Sequence, residues 1–313
     1  MSKPNLFAVL GGVAVMALAL MAPEAASAQT RGQRRPAAEA VAATPAENIA
    51  AAQAAATAAG ISCQVTEANL LGTATGGAGN LYEAACATGP GYLITASTPP
   101  QVVDCVLLAH QIAKDAAAAP AEAAPARRGR RSEPETKSVS CTLPANQDLL
   151  GVQAAYAREA GIACQVDAAT PIGVAPSGAT VYEIGCAGVD GYRINKEAAG
   201  WTKVECLKLM AANGTCAYTT TAEQSATIQA LLVSTAADDC VVEQARYLGG
   251  NANGEFYEAK CGADTGYILR VKAGVTEQVY PCASAQQIGG GCKLTVVPAT
   301  APATTPAPAP STR

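Results

Sequence analysis

From Tyr182 to Cys186 apolar and polar positions alternate: Tyr182, Ile184 and Cys186 fall on one side of an extended chain and Glu183 on the other. A period of two is the mark of a half-buried β-strand. After a short gap, Gly191-Tyr192-Arg193-Ile194 alternates again, with Tyr192 and Ile194 inward and Arg193 outward. The same pair of segments occurs as Tyr82-Glu83-Ala84-Ala85-Cys86 with Gly91-Tyr92-Leu93-Ile94, and as Tyr257-Glu258-Ala259-Lys260-Cys261 with Gly266-Tyr267-Ile268-Leu269. The spacing of the tyrosines and the cysteine is the same each time, so the chain is an array of one small module.

A less regular strand precedes each pair. It carries Val65, Ala68 and Leu71 in the first copy, Val166, Ala169 and Ile172 in the second, and Val242, Ala245 and Leu248 in the third. Counted from the first cysteine of each module, the interval lengthens from two to three along the run, which predicts a strand with a bulge or bend. Gly76-Gly77, Pro176-Ser177-Gly178 and Gly250-Asn251 then read as hairpin loops. Helices are predicted over 44–59, 146–160 and 222–236. The first has a Thr44/Glu47 capping box with Pro45 at its first position, and the third a Thr221/Gln224 box. The fold class is α+β: three tandem modules, each a helix packed on a small antiparallel sheet and stapled by disulfides. In outline, an alanine-rich helix, an Ala-Gly-Ile step (Ala59-Gly60-Ile61, Ala160-Gly161-Ile162) and then strands, the module resembles short envelope repeats of the PASTA kind. Those repeats have no four-cysteine framework, and the resemblance implies no residue role or activity.

The segments outside the modules are distinct in composition. Residues 1–28 read as a secretory signal peptide: Lys3, an apolar run from Leu6 to Leu20, and Ala26-Ser27-Ala28 before Gln29. A disordered lead-in, 29–43, precedes module 1 (44–143), which contains a disordered insert over 114–138. Module 2 spans 144–219 and module 3 spans 220–297. Residues 298–313 form a mobile Ala/Pro/Thr-rich tail. The expected location is periplasmic or extracellular, with no membrane span after signal cleavage.

Composition explains the need for staples. The chain has ten Tyr but one Trp and two Phe, and much of its apolar content is alanine. A unit with so little bulk to bury is marginal unless cross-linked. The twelve cysteines divide four to a module: Cys63, Cys86, Cys105, Cys141; Cys164, Cys186, Cys206, Cys216; Cys240, Cys261, Cys282, Cys292. Four cysteines allow three pairings. First with second is favoured because both lie on the core face of adjacent strands, with their midpoint in the hairpin loop. Third with fourth is favoured by the short turns Asn213-Gly214-Thr215 and Gly289-Gly290-Gly291. That bridge also tolerates the insert of module 1, since closure entropy grows slowly with loop length. Zinc ligation would need close Cys-x-x-Cys pairs, which are missing, so no metal or other cofactor is expected.

Net charge is −4, from 21 basic and 25 acidic residues. Arg31, Arg34, Arg35, Arg127, Arg128, Arg130 and Arg131 all lie outside the repeats, so the modules themselves are acidic and specific nucleic-acid binding is not expected. With one histidine, His110, expected at the surface near the insert, and no cysteine to spare, neither a Cys–His pair nor a Ser–His–Asp triad can be assembled. The chain is read as non-catalytic.

The polar positions that stand out are Glu83, Glu183 and Glu258, one per module. They are expected on a solvated sheet face, with cross-strand partners such as Arg193 or Arg270, or else as one ligand contact per module. Trp201 is a further candidate contact, either a loop plug or an exposed side chain. The expected function is a cell-envelope binding or structural protein for an unidentified envelope component or protein. The alternative is a protease or hydrolase inhibitor presenting its stapled loops.

Overall fold

A computed structural model describes residues 43–74, 77, 79–118 and 139–296. The expected signal peptide, nearly all of the lead-in, the arginine-bearing part of the insert and the tail lie outside the described residues. The described residues form one compact unit.

Each module opens with a helix and continues into a four-stranded antiparallel meander. In the first these are α1 (Pro45–Ala58), β1 (Val65–Thr73), β2 (Asn80–Cys86), β3 (Tyr92–Thr95) and β4 (Gln101–Asp104), followed by α2 (Cys105–Ala118). The second contains α3 (Pro144–Gln147), α4 (Leu149–Glu159), β5 (Val166–Val174), β6 (Thr180–Cys186), β7 (Val189–Glu197), β8 (Gly200–Glu205) and α5 (Cys206–Ala211). The third contains α6 (Thr221–Leu232), β9 (Gln244–Asn251), β10 (Gly254–Lys260), β11 (Gly266–Lys272) and β12 (Val275–Pro281). The strand order follows the chain in all three sheets.

The α+β class and the three modules are as expected, and so are the bulges. Pairing slips between Val65 and Glu67 and between Leu70 and Gly72. It slips at the matching places in β5, and once opposite Phe256/Tyr257 in the third sheet. Four details differ. The sequence showed three strands per module, but a fourth exists. It is an edge strand with a mostly exposed or half-buried burial pattern, as in Trp201-Thr202-Lys203-Val204, so no apolar alternation announces it. The third cysteine of modules 1 and 2 opens a helix that the sequence pattern did not announce. Because α2 reaches Ala118, residues 114–118 are helical and do not belong to a disordered insert. Finally, α6 ends at Leu232, and its capping box is Thr220 with Glu223, one residue earlier than expected.

All twelve cysteines are paired, first with second and third with fourth: Cys63–Cys86, Cys105–Cys141, Cys164–Cys186, Cys206–Cys216, Cys240–Cys261 and Cys282–Cys292. Six such bonds fit an oxidising compartment outside the cytoplasm. No helix among the described residues is long and apolar enough to cross a membrane.

One face of each sheet packs on the module's helix. In module 1, Tyr82, Ala84 and Ile94 meet Ala52, Ala55 and Ala56. The alanines let the helix approach closely, which is how a chain poor in bulky residues still closes its core. The other face is where the expectation fails. Glu83, Glu183 and Glu258 are 0 %, 3 % and 0 % exposed. The alternation was read correctly, but the face opposite the helix is covered by the segment that follows the fourth cysteine.

In each module that closing segment delivers backbone N–H groups to the glutamate. Thr142 and Leu143 donate to Glu83 Oε1 at 2.6 and 2.7 Å, joined by the Asn146 amide at 2.9 Å. Tyr218 N donates to Glu183 Oε1 at 2.7 Å, together with Ala217 N. Lys293, Leu294 and Thr295 donate to Glu258 at 2.8–3.1 Å, and Arg246 Nε lies 2.6 Å from its Oε2. A buried carboxylate costs several kcal/mol unless its oxygens are occupied in this way. The glycine just before the second tyrosine of each module has the same cause. A Cβ on Gly91, Gly191 or Gly266 would lie 1.8 Å from Asn146 Oδ1, 2.4 Å from Thr219 Oγ1 or 2.0 Å from Thr295 Oγ1, all on the closing segment.

The modules also interlock. Val106, the residue after the third cysteine of module 1, is 2 % exposed and sits in the core of module 2 with Tyr156, Tyr182 and Ile194. Leu207, the equivalent in module 2, is 3 % exposed and sits in the core of module 3 with Ile228, Tyr257 and Leu269. Its counterpart in module 3, Ala283, is exposed.

Candidate binding cleft between the first two modules

The interlocking brings the repeated tyrosines of neighbouring modules together. Tyr92 pairs across the sheet with Asp104, and Tyr192 with Glu205, so the second tyrosine of a module shares a face with the acid just before its third cysteine. In module 3 the same register pairs Tyr267 with Pro281, and the acid is gone. The acid is thus present at both junctions seen between modules.

At the first junction these residues line a cleft of about 340 Å³. Tyr92 and Asp104 come from module 1; Tyr156, Tyr182, Trp201, Glu159 and Lys196 come from module 2. The Tyr156 ring lies 5.3 Å from Tyr182 and 5.2 Å from Trp201, with Tyr182 and Trp201 6.5 Å apart. Trp201 is neither a loop plug nor a free surface side chain. It sits half-buried on β8, and its Nε1 donates to Glu159 Oε2 at 2.8 Å. Lys196 Nζ lies 3.6 Å from Glu159 Oε2 and 5.5 Å from the centre of the Trp201 ring.

Burial pushes the Tyr182 hydroxyl up to about 12, with the nearby Asp104 charge adding to the effect. Tyr92 is raised for the same two reasons, and Tyr156 is raised by burial first, then by Tyr182 and Asp104. All three phenols are therefore neutral hydrogen-bonding groups at neutral pH. Asp104 is also raised by burial, although its Oδ1 accepts from Val106 N at 2.7 Å and Leu107 N at 3.2 Å and so caps α2. Among the described residues nothing donates to Asp104 Oδ2.

The equivalent pocket at the second junction, lined by Tyr192, Glu205, Glu255 and Tyr257, is smaller, about 200 Å³, and has an ion-paired lysine beside it. Lys208 Nζ lies 2.5 Å from Glu255 Oε1 and 3.3 Å from Glu205 Oε2, and 5.6 Å from the Tyr247 ring. Burial opposes the charge on Lys208, but the two carboxylates outweigh it and its pKa is raised. The Tyr257 hydroxyl is 3.0 Å from an oxygen of each carboxylate, so it can donate to one or the other.

Asp190, at the same junction, is less well provided for. Its Oδ2 accepts from Leu207 N at 3.0 Å, while Oδ1 is buried and unpartnered. Burial, foremost, raises its pKa from 3.8 to about 6. An acid raised on folding favours the native state below its unfolded pKa, and that contribution is lost as pH climbs through the folded value. The sensitive window is therefore about pH 4–6, and the amount lost is roughly 2–3 kcal/mol. Asp190→Asn is expected to raise the urea midpoint at about pH 7 and leave it nearly unchanged at about pH 4. An equal effect at both values would show that Asp190 is not held protonated.

The remaining sequence candidates fall elsewhere. Glu83 and Glu258 each lie beside the disulfide formed by the third and fourth cysteines, within reach of a shared ion by distance alone. Those sulfurs are bonded to one another and offer no thiolate. His110 is half-buried on α2, with Nδ1 3.2 Å from Thr170 Oγ1 of module 2, so it belongs to the junction rather than to open surface. The cleft itself was not foreseen. Its one sequence signal is the acid before the third cysteine in two copies and its loss in the last. Comparison with known protein families, with curated proteins and with solved structures found no match.

Proposed function

We propose that the chain is a non-catalytic, exported binding protein of the cell envelope, in the periplasm or outside the cell, and that the cleft between modules 1 and 2 is its binding site. The observation that carries this reading is the convergence of four aromatic rings and an incompletely bonded carboxylate, Asp104, on a space of about 340 Å³. That volume is at the small end of the range for small-molecule sites, and a lining of rings with a few placed polar groups is their usual chemistry. The binding unit is a junction and not a module. The idea of one exposed acid per repeat, multiplying weak contacts, is replaced, because the three glutamates are buried. The non-catalytic reading is supported by the bonding of every cysteine and by the engagement of His110 with Thr170.

Native mass spectrometry after incubation with the low-molecular-mass fraction of an envelope extract tests the proposal. The expected result is one bound equivalent, lost in Trp201→Ala and in Tyr92→Ala. A wild-type chain that retains no adduct, or variants that retain it undiminished, would count against the cleft.

A further inference from the structure

The two junctions are built from equivalent positions, and the difference between them indicates what the open one takes. At the second junction the acid before the third cysteine, Glu205, is met by Lys208, two residues after that cysteine, and by Glu255, two residues before the first tyrosine of the next module. Counting from the same landmarks, the first junction has Asp104, Leu107 and Thr180. The second junction thus carries its own ammonium group, held by carboxylates beside the Tyr247 ring. The first keeps the acid but has a leucine where the lysine would be. Glu159 does not make up the difference, because Lys196 and the Trp201 N–H already engage it at the rim. Asp104 is left as the carboxylate in the cleft with no cation of its own, half-buried among the rings of Tyr92, Tyr156 and Tyr182.

We propose, building on the binding role assigned above, that this cleft takes a small organic ammonium ion seated against Asp104 and the tyrosine faces. The chemistry is that of the second junction with the ammonium supplied from outside. A ring face attracts a cation through its quadrupole, more strongly when water is excluded, and a carboxylate at the back of the site supplies the opposite charge. The capping bonds to Val106 and Leu107 use only Oδ1, so Oδ2 is the atom that receives the ligand N–H or faces a quaternary group. Leu107 is 36 % exposed, so a lysine can be accommodated there without emptying a core.

Trp201 is the single tryptophan of the chain and lines the cleft, so its fluorescence reports on this site alone. The probes are pentylammonium and tetramethylammonium, with 1-pentanol and glucose as uncharged counterparts, titrated into the full mature chain at constant ionic strength. The expected result is a saturable change with both ammonium ions and none with the uncharged pair. Binding should weaken by about ten-fold or more in Asp104→Asn, which keeps the helix cap but loses the charge. It should weaken as much in Leu107→Lys, where the chain's own ammonium fills the place. Unchanged melting by circular dichroism shows that each variant is folded, and either folded variant suffices. Equal saturation by pentanol or glucose, or ammonium binding unaltered in Asp104→Asn, would overturn the ammonium assignment and leave the cleft as a site for a neutral ligand. No saturation by any of the four probes would also overturn it, and the adduct experiment then decides separately whether the cleft binds anything.

Discussion

Glu258→Ala is expected to lower the unfolding free energy by about 3–5 kcal/mol, the range for breaking a buried, fully bonded charge. The substitution strands the N–H groups of Lys293, Leu294 and Thr295 and removes the partner of Arg246. Each orphaned buried donor costs about 1–3 kcal/mol. Glu258→Gln keeps one acceptor oxygen and should lose roughly half as much, because some of the three N–H groups remain satisfied. Urea unfolding followed by far-ultraviolet circular dichroism measures both. A loss within about 0.5 kcal/mol, the range for ordinary surface changes, would show that the closing segment is not held by the carboxylate. Glu83→Ala and Glu183→Ala should act in the same direction, since the same donors recur in those modules.

Removing the cross-links has the second large effect. Replacing Cys105 and Cys141 together by Ala releases a loop with a sequence separation of 36. Chain-entropy reasoning puts the loss at about 4 kcal/mol, against about 3 kcal/mol for Cys206 and Cys216, whose separation is 10. Both pairs should cost more than the loop term alone, because the residues that directly follow Cys141 and Cys216 (Thr142 and Leu143, Ala217 and Tyr218) also lose their hold on Glu83 and Glu183. Reduction of all six bridges removes on the order of 20 kcal/mol by the same reasoning, more than the 5–15 kcal/mol net stability of ordinary proteins. The reduced chain should therefore be unfolded at room temperature. Denaturant titration of the two double variants and circular dichroism of the reduced protein provide the measurements. A reduced chain that keeps a cooperative melt would show that the alanine-lined cores suffice alone.

What could be read from the residues alone followed from local spacing. The period of two in Tyr182–Cys186, the lengthened interval that became a bulge, and the four cysteines of each module all act over a few residues or recur three times. They led to the repeat, the sheet and both disulfide pairings without a third dimension. The edge strands stayed hidden because their side chains are largely solvated, and helix α5 was missed because its six residues are too few to show a period.

The role of the glutamates depended on contacts across 59 and 60 residues in module 1, and across 34 to 37 in the other two. From the sequence a charged residue alternating outward on a strand looks solvated, and only the folded chain reveals that a later segment lies over it. The same holds for the cleft. Tyr92, Asp104, Tyr182 and Trp201 come from two modules and meet because Val106 locks one module into the core of the next. Residue order dictated the repeating unit and its staples, since these rest on short-range periodicity and on pairing rules. How one unit seats on another, and hence which groups converge there, was decided by packing between elements far apart in the chain, which no local pattern encodes.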